Sequence, residues 1–260
     1  MKNNILKSLL VIGIVFVMTG CGGESSSPVN DVSMDLGDPI DGSVEETVTL
    51  ETETISPDIQ EIIDGPVSKI SQELINTLSY MGNEERLAYD VYNALYDKYG
   101  KKTFTNIATN GEYQHITLVQ ELIQKYKLSD DVNFTNVDLP ALGYMNTAIE
   151  DMVPGVYDVS AIQGLYDDLI AMATDEAEAL KVGCMIEVID IMDLDHDIAL
   201  AEAEDAADII EVFKILRAGS YNHYWAFDGA LQEGCCPTAL DILGGTECPT
   251  TDDYPKSNNQ

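Results

Sequence analysis

Ala108-Thr109-Asn110-Gly111-Glu112-Tyr113-Gln114-His115-Ile116-Thr117-Leu118-Val119-Gln120-Glu121-Leu122-Ile123-Gln124-Lys125-Tyr126 is the stretch on which the reading of this chain turns. Ala108, Glu112, His115, Val119, Leu122 and Tyr126 recur at alternating four- and three-residue steps, the spacing of one helix face. Two polar groups interrupt that apolar stripe. A buried charge without a partner costs roughly several kcal/mol, a cost a chain can carry when its ligands converge on a cation. Glu112-x-x-His115 has the i, i+3 spacing by which helical bundles present a carboxylate and an imidazole to a shared pair of metal ions.

Three further stripes have the same character. Leu74, Leu78, Met81, Glu85, Ala88, Tyr92, Leu95 and Tyr99 form one, stopped by Gly100. Leu180, Cys184, Glu187, Ile191 and Leu194 form another, with Asp190 one turn beyond Glu187. Ile209, Phe213, Leu216, Ser220, His223 and Phe227 form the last. No stretch alternates at two-residue period, so an all-α fold is expected. The first two helices are joined by a short link around 100–106, and the last two around 195–205. About fifty residues separate the pairs, with a short helix expected over 159–171. Two helical hairpins joined by one long crossover is the connectivity of ferritin-like four-helix bundles.

Taken singly, each polar position has an ordinary explanation. Glu85 could be a solvated helix face, and neighbouring Glu84 sits off the stripe. His223 could be a hydrogen-bonded core histidine. The coincidence of Glu85, Glu112 with His115, Glu187 with Asp190, and His223 on four core faces points instead to a metal site. A di-metal centre in such a bundle is built from Glu, Glu-x-x-His, Glu, Glu-x-x-His across the helices. Ser220 stands where the last Glu should be, and Asp190 is the candidate to supply the missing oxygen. Tyr92, two turns beyond Glu85, is placed to hydrogen-bond a ligand. Of the three histidines, His196 falls outside this set and is expected to face water.

These segments, namely Asn83-Glu84-Glu85-Arg86-Leu87-Ala88-Tyr89-Asp90-Val91-Tyr92, Glu112-Tyr113-Gln114-His115, Ile186-Glu187-Val188-Ile189-Asp190-Ile191 and Gly219-Ser220-Tyr221-Asn222-His223, resemble the prokaryotic ferritin-like family labelled domain of unknown function 2202. The likeness spans about 74–231. It implies a ferritin-like bundle with a di-metal centre, and implies that Ser220 and Asp190 belong to the family's own pattern. It names no reaction. The cofactor expected is two iron ions, with manganese or zinc as alternatives. The activity expected is ferrous iron oxidation or the handling of peroxide and oxygen. A metal-binding module without turnover and a purely structural bundle are the competing classes.

The rest of the chain frames this domain. Residues 1–20 carry Lys2 and Lys7, an apolar run over 9–17 and the ending Met18-Thr19-Gly20 before Cys21. That is a secretory signal, with Cys21 the expected lipidation site of a bacterial lipoprotein; ordinary cleavage or a retained anchor are the alternatives. The protein is accordingly expected on the extracytoplasmic side of the cell envelope, tethered to a membrane by its N-terminal lipid. Residues 21–66 are rich in Gly, Ser, Thr and acids and read as a flexible tether. The bundle is expected over 67–232 and a Cys/Gly/Pro-containing tail over 233–260. The formal charge is −33, which excludes nucleic-acid binding for want of a basic surface. A homodimer is compatible with the pattern, which sets no oligomeric state.

Export permits disulfides. Either Cys235 or Cys236 could pair with Cys248, while Cys184 reads as a small core residue. Asp193, Asp195, Asp197 and Glu204 take the first, third, fifth and twelfth places of a calcium-loop pattern, but Ile198 replaces its obligatory glycine. Acids capping helices in a solvated connection are the alternative there.

Overall fold

The computed structural model describes residues 57–127 and 149–256. The signal, Cys21 and most of the expected tether lie outside them. Among the described residues there are helices and no strands. The four long stripes become four antiparallel and parallel rods in two hairpins. Helix α1 (Pro57–Ile63) precedes α2 (Gln72–Tyr99). Helix α3 (Lys102–Ile107) continues through a π-helical turn (Ala108–Glu112) into α4 (Tyr113–Lys127). Helix α5 (Ser160–Met172) belongs to the crossover. The second hairpin is α6 (Glu176–Ala203) and α7 (Ala207–Ala230), followed by α8 (Cys236–Leu243). No helix of the described residues is long and apolar enough to cross a membrane.

Local chemistry sets the ends. Ser71 Oγ accepts the Leu74 N–H (3.2 Å) to cap α2, and Asp175 accepts the Glu178 N–H (2.9 Å) to cap α6. The Ser71 N–H also donates to Glu204 Oε2 (2.6 Å), which ties the start of α2 to the turn between α6 and α7.

Two apolar clusters fill the bundle. One gathers Tyr92, Leu95, Phe104, Cys184, Tyr224 and Phe227; the other gathers Leu78, Met81, Leu122, Leu194, Phe213 and Leu216. Every long rod passes from one cluster to the other, and α2 runs opposite to the α3–α4 rod as α6 does to α7. The α3–α4 rod and α6 therefore run parallel, which requires the long crossover. Between the clusters each rod contributes its polar residues at the same height. Arg86 anchors the crossover there, donating from Nη2 to the carbonyls of Val153 (2.7 Å) and Val156 (2.9 Å).

Four expectations change. The connection expected over 195–205 is helical to Ala203, because Ile198 and Ala201 continue the buried stripe; only 204–206 turn, with Asp205 at φ 54°. That places Asp193, Asp195 and Asp197 on a helix, so the calcium-loop geometry does not form. His196 is on the same helix with its side chain 63% exposed, hydrogen-bonded to Asp197. Within the stretch read as tether, 57–63 is helical, with Ile59 and Ile63 packed into the second apolar cluster.

Of the two pairings left open for Cys248, the one with Cys236 forms, and the change lies at Cys184. Cys184 is bonded to Cys235, and Cys236 to Cys248. Cys184 is a core residue as its stripe suggested, but the segment after α7 folds back along α6 and brings Cys235 onto it. Peptide mapping without reduction is expected to recover Cys184–Cys235 and Cys236–Cys248 cross-links; a Cys235–Cys248 peptide would contradict this packing. Replacing Cys184 and Cys235 by Ala should lower unfolding free energy by about 2–5 kcal/mol, since a cross-link between distant residues restricts the unfolded chain.

Candidate metal centre

The polar layer between the clusters is assembled from all four rods. Glu85 comes from α2, Glu112 and His115 from the π-turn and α4, Glu187 and Asp190 from α6, and His223 from α7; all six are buried. Glu112 stands at the centre. Its Oε2 is 3.1 Å from His115 Nδ1 and its Oε1 is 3.2 Å from His223 Nδ1. One carboxylate thus offers one oxygen to each imidazole, the disposition of a bridging ligand. On the first side, Glu85 Oε2 is 3.0 Å from His115 Nδ1. On the second, Glu187 Oε2 is 3.4 Å from His223 Nδ1. The ligand atoms of Glu112, His115 and His223 lie within 4.8 Å of one another, and this group could hold a metal ion.

Both histidines face the carboxylates through Nδ1, and a pair of glycines explains why they can. A Cβ on Gly111 would lie 2.1 Å from His223 Nε2, and one on Gly219 would lie 2.3 Å from His115 Nε2. Each imidazole therefore rests edge-on against a bare patch of the opposite rod, in a reciprocal arrangement. The π-turn carries Gly111 and Glu112 at successive positions, so the extra residue in that turn sets both the seat for His223 and the central carboxylate. Inserted π-turns inside α-helices are frequent at functional sites.

Supporting contacts orient the rest. Tyr92 donates its hydroxyl proton to Glu187 Oε1 (2.5 Å). Ser220 donates to Asp190 Oδ2 (2.5 Å), with the Leu216 carbonyl at 2.9 Å. The serine that stands in place of a fourth-helix Glu thus holds Asp190 at the edge of the layer.

Several groups here lack what a buried polar atom needs. Glu85 Oε1, Asp190 Oδ1 and His223 Nδ1 are buried with no hydrogen-bond partner. His223 Nδ1 has two carboxylates close by, yet neither is aligned for a hydrogen bond. Burial raises Glu85 to about 7 against the pull of His115, and burial likewise raises Glu187 and Asp190. Burial would raise Glu112 too, but His223 and His115 hold it below the usual carboxylate range. Burial works against a charged imidazole, but Glu112 and Glu187 outweigh it and lift His223 to about 9; Glu85 and Glu112 likewise lift His115. Without a metal, protons on the two rings balance the carboxylates. Hard oxygen and imidazole nitrogen donors, several of them buried and unpartnered, fit a divalent transition metal.

Reading by stripes brought these six residues to one layer but passed over Gly111, Gly219 and the π-turn. A glycine inside each of two helical patterns was the available signal, since glycine there weakens a helix and calls for a packing reason.

The chain belongs to the family described as Uncharacterized protein domain (DUF2202), which matches residues 74–236. That span includes all six side chains of the layer. Uncharacterized protein MJ0754 of Methanocaldococcus jannaschii is 35% identical over 163 residues, 62% of this chain and 77% of the relative. The crystal structure of hypothetical protein MJ0754 from Methanococcus jannaschii superimposes with a TM-score of 0.54 at 32% identity, covering 74% of this chain and 94% of that one.

Adding a methyl at either histidine seat should disrupt the layer. Gly111→Ala and Gly219→Ala are each expected to lower unfolding free energy by about 1–3 kcal/mol in urea titrations, from overpacking. Gly164→Ala, where a Cβ meets open space, should instead stabilise by about 0.5–1 kcal/mol. Equal behaviour of all three variants would contradict the seating of the imidazoles.

Proposed function

We propose that this chain is a lipid-anchored protein of the cell envelope whose ferritin-like bundle holds two iron ions between carboxylates and histidines, and that it oxidises ferrous iron or consumes peroxide or oxygen there. The observation that carries the reading is Glu112, whose two oxygens each address a different histidine in a layer with buried, unpartnered ligand atoms. Glu85 and His115 would hold one ion; Glu187, His223 and Asp190 would hold the other, with Glu112 shared. A bound di-iron pair supplies reversible one-electron chemistry and open positions for a small oxidant.

The protein's own groups do the remainder. Two apolar clusters limit water access to the layer from either end. Ser220 fixes Asp190 and leaves its second oxygen free. Tyr92 donates to Glu187 and steadies that carboxylate. Two disulfides suit an oxidising compartment, which agrees with the export signal and Cys21 lipidation. Ser220, in place of a glutamate three residues before His223, favours one other reading, a metal-binding module without turnover that retains a single zinc or iron for stability. Asp190, shorter and held by Ser220, offers an oxygen in its place.

Metal analysis of anaerobically loaded protein separates the readings. Two iron ions per chain, with oxygen consumed as ferrous ion is added in air, are expected; one tightly held ion and no oxygen consumption would establish the alternative. Fewer than one ion per chain of iron, manganese or zinc would overturn both. Loading should also release protons at pH 7, because His223, raised to about 9 in the metal-free protein, must become neutral to ligate. Calorimetry in two buffers of different ionisation enthalpy reads this directly, and affinity should fall as pH is lowered.

A further inference from the structure

A second set of acids lines the seam between α2 and α6, outside the central layer. Asp190, Asp193 and Asp197 recur on α6 at three- and four-residue steps, continuing the line that Glu187 begins. At about 1.5 Å per residue, the path from Asp190 to Asp197 covers roughly 10 Å of helix. Glu84 meets this line from α2, adjacent in sequence to Glu85 of the centre. It is only 7% exposed, with Asp193 close by across the seam. Even so, Glu84 Oε2 and Asp193 Oδ2 are both buried without a partner, as is Asp190 Oδ1 between them and the centre.

No lysine or arginine among the described residues compensates Glu84 or Asp193. Arg86 turns to Asp90 and the crossover carbonyls, and Arg217 pairs with Asp195. Asp197 is buried beside exposed His196, whose Nδ1 is 3.0 Å from Asp197 Oδ1. The line therefore begins at the surface and ends at Asp190. Apolar residues at these positions would pack without the desolvation that buried carboxyls incur. Their oxygens suit a hard divalent cation. Among the described residues, Glu112, His115 and His223 form the one group of three whose ligand atoms all lie within 4.8 Å of one another. The more widely spread outer acids suit an ion that keeps part of its water and moves on.

We propose that Glu84, Asp193 and Asp197 form an acidic passage that takes a hydrated divalent metal ion from solvent at Asp197 and delivers it through Asp190 to the central layer. The proposal rests on the reading of that layer as a metal centre. Its steps are ligand exchanges, with no electron transferred. The protein's formal charge of −33 favours capture of cations generally, and this seam leads inward.

Stopped-flow mixing of metal-free, full-length protein with cobalt(II), followed by visible absorption, tests it. The double variant Glu84→Gln, Asp193→Asn is expected to bind as many cobalt ions as the unmodified protein, but to load about tenfold or more slowly at low salt. The gap should narrow as salt is added, because screening weakens the attraction that draws the cation from solvent to the mouth of the seam. Asp197→Asn alone should slow loading in the same sense, and it decides the matter if the double variant does not fold by circular dichroism. Folded variants that load as fast as the unmodified protein would overturn the passage. If the unmodified protein loads, Glu112→Gln does not, and the passage variants match the unmodified rate, only the passage falls. If the unmodified protein binds no cobalt, the centre falls and the passage with it.

Discussion

The carboxylate of Glu112, shared between two imidazoles in a layer closed off by apolar side chains on both sides, is the constraint around which this bundle is organised. Its two oxygens stand 3.1 and 3.2 Å from the Nδ1 atoms of His115 and His223. Those distances require α7 to present His223 at the height where the rod of Glu112 itself presents His115, one turn on. They also require the glycine of the opposite rod to receive the back of each ring. The layer could not survive as a set of independent surface acids. Burial of several carboxylates near one another is unfavourable unless protons or cations balance them.

The architecture follows from keeping that layer in register. The first hairpin supplies Glu85, Glu112 and His115 and the second supplies Glu187, Asp190 and His223, so the two hairpins must face each other. The parallel relation of the α3–α4 rod and α6 makes the crossover obligatory. Arg86, beside Glu85 on α2, grips the crossover at its Val153 and Val156 carbonyls, so this long segment is fastened at the level of the centre. The Cys184–Cys235 bond fixes the returning C-terminal segment one turn from Glu187. The cross-link and the grip on the crossover both stiffen the end of the bundle where Tyr92 reaches Glu187.

Much of this was legible in the chain, and the omissions have physical causes. Glu85, Glu112, His115, Glu187 and His223 were visible because a polar residue on an apolar stripe breaks a periodic pattern. Asp190 was visible as the neighbour one turn from Glu187. The π-turn left no such trace: it depends on where one backbone hydrogen bond shifts, not on which residues are apolar. In sequence Asp193 and Asp197 look like acids of a solvated connection; the helix continues past them, and Asp197 is buried with Asp193 partly so. Glu84 itself was set aside for sitting off the stripe of α2, which is the position from which it faces α6. Pairing of Cys184 with Cys235 needed the fold-back after α7, which no local spacing encodes.

The central claim is that metal ions occupy the space between Glu112 and the two histidines. Anomalous diffraction from crystals of iron-loaded protein, collected on both sides of the iron absorption edge, addresses it most directly. The account predicts two peaks flanking the Glu112 carboxylate, one on the side of His115 Nδ1 and Glu85 and the other on the side of His223 Nδ1 and Glu187. No peak in the layer, or iron bound through the Nε2 atoms or on the bundle surface alone, would contradict it.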